Sequence, residues 1–154
     1  MNRQHCKNCG ISMMELMAVV VILGIVGVIA AGSKMAATLS EVGSQTDANR
    51  LAVDLLCAQR RAIATGNNHY LKFNTLGGQI RSYTCYRVLP TGDAAVDEPR
   101  TFTKNVAITG TSTRAEFTFE GSAIAAYQYT LEAPNRSWQV SVVPATGTVR
   151  VTEL

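Results

Sequence analysis

Few side chains in this sequence are spaced like the parts of an active site or a metal site. Cys6 and Cys9 form a Cys-x-x-Cys pair, a spacing that supports zinc binding or redox chemistry when a second pair or suitable histidines complete the set. No such set follows, so we predict no metal site there. His69 has no neighbouring pattern of an activated serine or cysteine, and we expect it to be a packing or surface residue. These residues favour a protein that is not an enzyme and needs no cofactor.

Composition limits the remaining classes of protein. The chain has 154 residues, enough for one domain of ordinary size. Charged residues make up 16% and hydrophobic residues 47%, which excludes a disordered chain. The net charge of +3 does not indicate a generally basic nucleic-acid binder. Asp93, Asp97 and Glu98 are acidic, but their order does not fit a calcium loop, and we expect a solvated acidic loop.

Glu15 has the most unusual surroundings of any charged residue. It precedes residues 16–31, which contain no polar side chain. As a helix, residues 11–31 would extend about 31 Å, close to the ~30 Å of a bilayer core. Arg3 and Lys7 precede the run, whereas only Lys34 follows closely. The positive-inside rule then predicts a cytoplasmic N-terminus and an exported C-terminal domain.

Three simpler interpretations of this run remain open. A secretory signal peptide could be cut near Ala30, Ala31 and Gly32, although the run is long for that class. A plain membrane anchor explains the length but not Glu15, because a carboxylate in hydrocarbon costs several kcal/mol. A buried core helix is the least favoured, since so small a chain could hardly cover it.

The start of the run resembles the processing and assembly motif of type IV pilins and type II secretion pseudopilins. The residues that carry the resemblance are Gly10, Ile11, Glu15 and the apolar run itself. The resemblance implies that prepilin peptidase cuts after Gly10, that Ile11 becomes the methylated first residue, and that Glu15 is the family's helix glutamate. Most members have phenylalanine where this chain has Ile11.

Elementary electrostatics gives Glu15 a role that agrees with this resemblance. A buried carboxylate is tolerated only when it is neutralised or paired. The freed amine of Ile11 on an adjacent subunit would be a suitable partner. We therefore expect Glu15 to set the register between helices as subunits assemble. By the same resemblance, Gly32 marks a stretch that loses helicity in a filament.

A second helical pattern and then a series of strands follow the apolar run. Leu51, Leu55, Ala58 and Ala62 recur at helical spacing, and Gly66 provides an end signal. Residues 11–65 are predicted to form one long helix, interrupted between Gly32 and Gly43. Period-two patterns separated by turn residues predict the following strands: 69–75, 79–88, 101–109, 114–120, 127–132, 137–143 and 148–152.

These elements predict an α+β fold, with a long N-terminal helix packed on an antiparallel β-sheet. That is also the architecture of the pilin family. We expect four segments: a cleaved leader at 1–10, a transmembrane and assembly helix at 11–32, an amphipathic helix half at 33–66, and a C-terminal β domain at 67–154.

Two further segments resemble the GspH/FimT group of minor pilins and pseudopilins. They are residues 58–66 with the strand that follows, and the turn at 144–147 with the final strand. Residues 89–135 match no pattern we can name. Some FimT-like subunits bind DNA through arginines near this turn, where this chain offers only Arg150. A second basic patch could be formed by Arg60, Arg61, Arg81 and Arg87. DNA capture is therefore the alternative function.

Cys57 and Cys85 could form a disulfide in an exported domain, where oxidation is permitted. The 28 residues between them would give about 3.5 kcal/mol on the chain-entropy model. Cys57 is also predicted to lie about 200° around the helix from the Leu51 stripe, facing away from the sheet. A disulfide and free thiols both remain open.

Taken as a whole, the sequence predicts a structural subunit in the inner membrane, with its C-terminal domain in the periplasm. Its expected partners are other pilin or pseudopilin subunits, prepilin peptidase, the inner-membrane assembly platform and membrane lipid.

Overall fold

Helix α1 is the first element of this computed structural model, which describes residues 13–104 and 106–154 and, for residues 28–37, only the backbone. The helix runs Met13–Thr65 without a break, so the interruption predicted between Gly32 and Gly43 is wrong for this structure. Glycine and polar residues cost at most about 1 kcal/mol each in a helix, whereas an interruption would lose several backbone hydrogen bonds. The predicted end is confirmed, because Gly66 adopts a left-handed φ of 66° directly after Thr65.

The chain divides into two compact units, Met1–Ala36 and Ala37–Leu154. In the first unit, every large apolar side chain of residues 13–27 is at least 50% exposed. Among the residues whose side chains are described, 13–27, 38–104 and 106–154, no helical stretch is both long and apolar enough to cross a membrane. Residues 11–12, where the predicted span begins, lie outside the described part of the chain.

The described part of the second unit contains nine strands after the helix. Their bounds are β1 His69–Leu76, β2 Gln79–Arg87, β3 Ala94–Ala95, β4 Arg100–Thr101, β5 Ala107–Gly110, β6 Arg114–Phe117, β7 Tyr127–Glu132, β8 Ser137–Val142 and β9 Val149–Glu153. All of the pairings are antiparallel. The α+β class predicted from the sequence is confirmed.

The strands form two sheets, whereas the sequence predicted one. The first has the order β3-β2-β1-β6, with β4 also pairing β2, and the second has the order β5-β7-β8-β9. In the first sheet, β1 and β2 are joined by a tight turn at Gly77 and Gly78, both with positive φ. The second sheet begins only after the chain has left β4.

The core of the second unit is built on the predicted helix stripe. Leu51, Leu55, Ala58 and Ala62 are all 0% exposed, which confirms that stripe. One cluster of buried side chains joins them to residues of both sheets. The largest fully buried apolar side chains from the sheets are those of Leu71, Phe117, Ile108, Tyr129 and Leu131. Full burial of a side chain of this size contributes roughly 1.5 to 3 kcal/mol, so this packing holds the helix against the sheets.

The strand predicted over residues 101–109 is wrong, because one strand ends at Thr101 and the next begins only at Ala107. The Asp47 carboxylate on the helix accepts a hydrogen bond from the Thr103 backbone N–H at 2.8 Å, and Val106 N–H bonds back to Thr103 C=O at 3.2 Å. These bonds turn the chain between β4 and β5. Asp47 lies 56 residues before Thr103. The alternation of polar and apolar residues in residues 101–109 therefore gives no sign of this contact.

Candidate assembly surface and the helix-to-strand pocket

Glu15 lies in the first turn of α1, on a surface otherwise made of apolar side chains. Its neighbours Met14 and Leu16 are 80% and 58% exposed. A single carboxylate on such a surface can pair with a cation brought by another helix, and the desolvated pair would fix where the two helices meet. Gly10 and Ile11, the predicted processing site, lie outside the described residues, as do Cys6 and Cys9.

Both remaining thiols are free in the structure. Cys57 is exposed on α1, and Cys85 is buried on β2. The exposure of Cys57 agrees with its predicted direction away from the sheet, although it borders a small pocket of about 60 Å³ together with Cys85, Asp97 and Arg100. The segment between β2 and β5 therefore lines the side of the helix that the periodicity left facing solvent. A disulfide between these two thiols stays a prediction.

The two thiols are expected to react at different rates. Burial raises the pKa of the Cys85 thiol, and thiolate is the reactive form, so a maleimide should modify Cys57 at least ~10-fold faster than Cys85 at neutral pH. Peptide mass spectrometry of the reduced chain over a time course measures both rates. Equal rates of modification of Cys57 and Cys85 in the folded chain would contradict the described burial of Cys85.

Two ion pairs tie the segment after β3 to helix α1. Arg61 Nη1 lies 2.5 Å from Asp97 Oδ2, and Arg100 Nη1 lies 2.9 Å from Asp54 Oδ1. Asp54 Oδ2 also accepts a hydrogen bond from the Tyr83 hydroxyl at 2.5 Å. Burial, and then this bond, raise the pKa of Tyr83, which stays a neutral donor. Asp54 is thus the point where helix, sheet and loop meet.

Replacing Asp54 with alanine is expected to destabilise the fold by about 2 to 3 kcal/mol, because it leaves the Tyr83 hydroxyl buried without this acceptor and Arg100 without its carboxylate. Urea unfolding, followed through the fluorescence of Trp138, measures the change. The control is the same substitution in a Tyr83→Phe background, where the orphaned hydroxyl is absent and the loss should be smaller. Equal losses of unfolding free energy in the two backgrounds would show that the hydrogen bond from Tyr83 to Asp54 does not stabilise the fold.

The acidic residues considered for calcium do not converge on one site. Asp93 accepts a hydrogen bond from the Tyr70 hydroxyl at 2.7 Å, whereas Asp97 pairs with Arg61 and Glu98 is exposed. Across the described residues, no three acidic, histidine or cysteine side chains are grouped as metal ligands would be. Asp93 and Asp97 instead bind the segment after β2 to the rest of the domain.

The arginines considered for DNA binding are dispersed, with one exception. Arg150 is exposed on β9, opposite Ser141. Arg81 and Arg87 are six positions apart on β2, which corresponds to roughly 20 Å along a strand. Arg61 and Arg87, however, line one pocket at the end of α1. The proposed four-arginine patch is therefore not formed, although two of its members line the same pocket.

Gln59 is a structural residue that the sequence did not reveal. Its side-chain Nε2 donates to the carbonyl oxygen of Gly121 at 2.6 Å and to that of Thr146 at 2.9 Å. One helix side chain thus holds together two loops, including the turn at 144–147. Its partners are 62 and 87 residues away along the chain, so no local pattern could identify them.

Comparisons with known proteins agree at the level of fold. No protein-family model matches the sequence, and no curated protein sequence matches it. Among solved structures, the chain is similar to the minor pseudopilin EpsH of the Type 2 Secretion System of Vibrio cholerae, with a TM-score of 0.61 and 14% identity over 71% of this chain and 96% of that one. It is also similar to the type IV minor pilin FimU of Pseudomonas aeruginosa, with a TM-score of 0.58 and 13% identity over 70% of this chain and 87% of that one. The chain has a type IV pilin or pseudopilin-like fold, which confirms the resemblance found in the sequence.

Proposed function

We propose that this chain is a minor pseudopilin or pilin, a non-enzymatic subunit of a type II secretion pseudopilus or a type IV pilus. The observation that carries the proposal is Glu15, a lone carboxylate on an exposed apolar helix that precedes a domain with the pilin-like fold. Neither the carboxylate on the apolar helix nor the pilin-like fold would indicate a pilin subunit by itself. A plain anchor needs no carboxylate, and the domain fold by itself does not require an apolar helix ahead of it.

In this proposal, residues 1–10 are a leader that prepilin peptidase removes after Gly10. Ile11 then becomes the N-terminal residue and is methylated. The support comes from the motif in the sequence, since these positions precede the described residues. Cleavage removes the charged residues of the leader and leaves a free amine four positions before Glu15.

The apolar helix passes through two environments. The side chains of residues 13–27 are exposed in the isolated chain, and covering a Leu, Ile or Val side chain is worth roughly 1.5 to 3 kcal/mol. We propose that lipid of the inner membrane covers residues 11–32 before assembly, and that helices of neighbouring subunits cover them afterwards. Glu15 then meets the Ile11 amine of a neighbour, which sets the axial register.

The remaining segments have a different role. Residues 33–66 carry the stripe that packs on the β domain, and residues 67–154 form the domain that would lie in the periplasm. Its outer surface would contact neighbouring subunits or exported cargo. Assembly requires the inner-membrane platform as well as the peptidase.

A chromosomal deletion tests this function directly. The account expects loss of either substrate secretion or surface piliation, restored by the wild-type gene, and it expects the mature chain in sheared or purified filaments together with other subunits. Loss of secretion identifies a pseudopilin, whereas loss of piliation identifies a pilin. A deletion strain that keeps both activities, together with wild-type filaments that lack the chain, would refute the proposal.

A further inference from the structure

A pocket of about 360 Å³ lies at the C-terminal end of helix α1. Its lining includes two guanidinium groups, one imidazole and one hydroxyl, from Arg61, Arg87, His69 and Thr65. Residues 94–96, which are alanine, alanine and valine, supply its apolar wall. The pocket is separate from the apolar N-terminal helix on which the proposed function depends.

Strand register explains why these side chains meet. His69 on β1 is paired with Arg87 on β2, and Arg87 is paired with Ala94 on β3. Paired residues on neighbouring strands lie side by side on the same face of a sheet. Two positions along, Leu71 is paired with Cys85, and both are buried in the core. The row through His69 therefore continues the core face past the point where the helix ends.

Helix α1 ends beside this row, next to Arg87. Because α1 stops at Thr65, the last helix side chains beside the row are those of Thr65 and Arg61. His69 is buried, with 2% of its surface exposed, whereas Arg87 is only partly buried and borders the pocket together with Arg61 and Thr65. A small ligand could enter that space without displacing core side chains.

Arg87 is the group in this pocket that lacks a partner. Its Nε is buried, and no acceptor in the described part of the chain lies within hydrogen-bonding distance of it. Arg61 is already engaged by Asp97. All of the described residues that line the pocket are neutral or basic, since none is a carboxylate. A buried guanidinium N–H without an acceptor is unfavourable, so a small movement of the Arg87 side chain toward an anion in the pocket would remove that penalty.

We propose that this pocket binds an oxyanion, either a phosphate or a carboxylate group, through Arg87 with Arg61 and His69 beside it. The planar guanidinium presents donors that match the oxygens of both groups. His69 is held in place, with Nδ1 lying 3.0 Å from the backbone oxygen of Asn67. The C-terminal end of the helix dipole opposes an anion, but the full positive charge of Arg87 outweighs its partial negative charge.

Nuclear magnetic resonance of the arginine side chains tests this site in the full-length chain in detergent micelles, with isotope-labelled arginine. Inorganic phosphate and acetate are titrated separately at constant ionic strength, with chloride as the replaced anion. The Nε–H signal of Arg87 is expected to shift saturably, with a dissociation constant of about 1 to 10 mM for at least one anion. Arg81, which is exposed on the same strand, is the internal control and should show no saturable shift.

The outcomes separate the ligand chemistries. Saturation with phosphate alone assigns a phosphate site, saturation with acetate alone assigns a carboxylate site, and both results support the proposal. No saturable shift of Arg87 up to ~50 mM of either anion, or an equal shift of Arg81, would overturn it. Arg87→Gln should weaken the binding at least ~10-fold, judged from the Arg61 signal, whereas Arg81→Gln should leave it unchanged. The wild-type titration decides the question if Arg87→Gln does not fold.

Discussion

Replacing Glu15 with glutamine is expected to leave processing intact but reduce incorporation into filaments at least ~10-fold. The substitution keeps the size of the side chain and removes its charge, so the Ile11 amine of the neighbouring subunit loses its partner in a low-dielectric bundle. A loss of only about 1.4 kcal/mol in that pairing already corresponds to a factor of ten, and an uncompensated buried charge costs more. Quantitative immunoblotting of the filament and membrane fractions measures the distribution.

Glu41→Gln is the matched control, because it makes the same change of charge farther along α1. Glu41 contacts Asn135 within the second unit, and its replacement should leave incorporation near the wild-type level. Equal incorporation of the Glu15→Gln variant and the wild type would contradict the proposed register. An equal reduction in both variants would indicate a general effect of charge and would contradict it as well.

Replacing Gly147 with alanine is expected to destabilise the domain by about 3 to 5 kcal/mol, the range of severe core substitutions. Gly147 has a positive φ of 62°. An added Cβ would overlap the carbonyl oxygen of Gly121 and the side chain of Gln59. Relief requires the turn at 144–147 to move, which breaks the two hydrogen bonds that Gln59 donates. Urea unfolding monitored through Trp138 gives the free energy.

Gly77→Ala separates the overlap from the backbone strain. Gly77 has the same φ of 62°, but an added Cβ there would meet no atom within 4 Å. Only the left-handed conformation is then penalised, by about 1 to 2 kcal/mol. If the two glycine variants lose the same stability, the contact between the loops and Gln59 is not what holds the turn.

The parts of the fold that the sequence predicts well are those determined by near neighbours. Leu51, Leu55, Ala58 and Ala62 are buried because a helix brings every third or fourth residue to one face, and Gly66 ends the helix because it tolerates positive φ. The strand Tyr127–Glu132 was predicted with its observed bounds, since its buried and exposed residues alternate.

Features that depend on distant partners were not predictable in the same way. The turn at Thr103 is fixed by Asp47, which lies 56 residues earlier. The pocket at the end of α1 needs the pairing of His69 with Arg87 and the position at which the helix stops. The sequence identified Arg87 only as one of four arginines that could form a basic patch, because spacing along the chain does not give strand register. Glu15 was conspicuous for the opposite reason, since its surroundings are set by its immediate neighbours.

The intact mass of the mature chain, purified from the membrane and filament fractions, tests the central claim most directly. The account predicts a chain that begins at Ile11, carries one added methyl group and retains Glu15. The same spectrum, compared before and after reduction, shows whether Cys57 and Cys85 are joined. A mature product that begins near Gly32, and therefore lacks Glu15, would contradict the account.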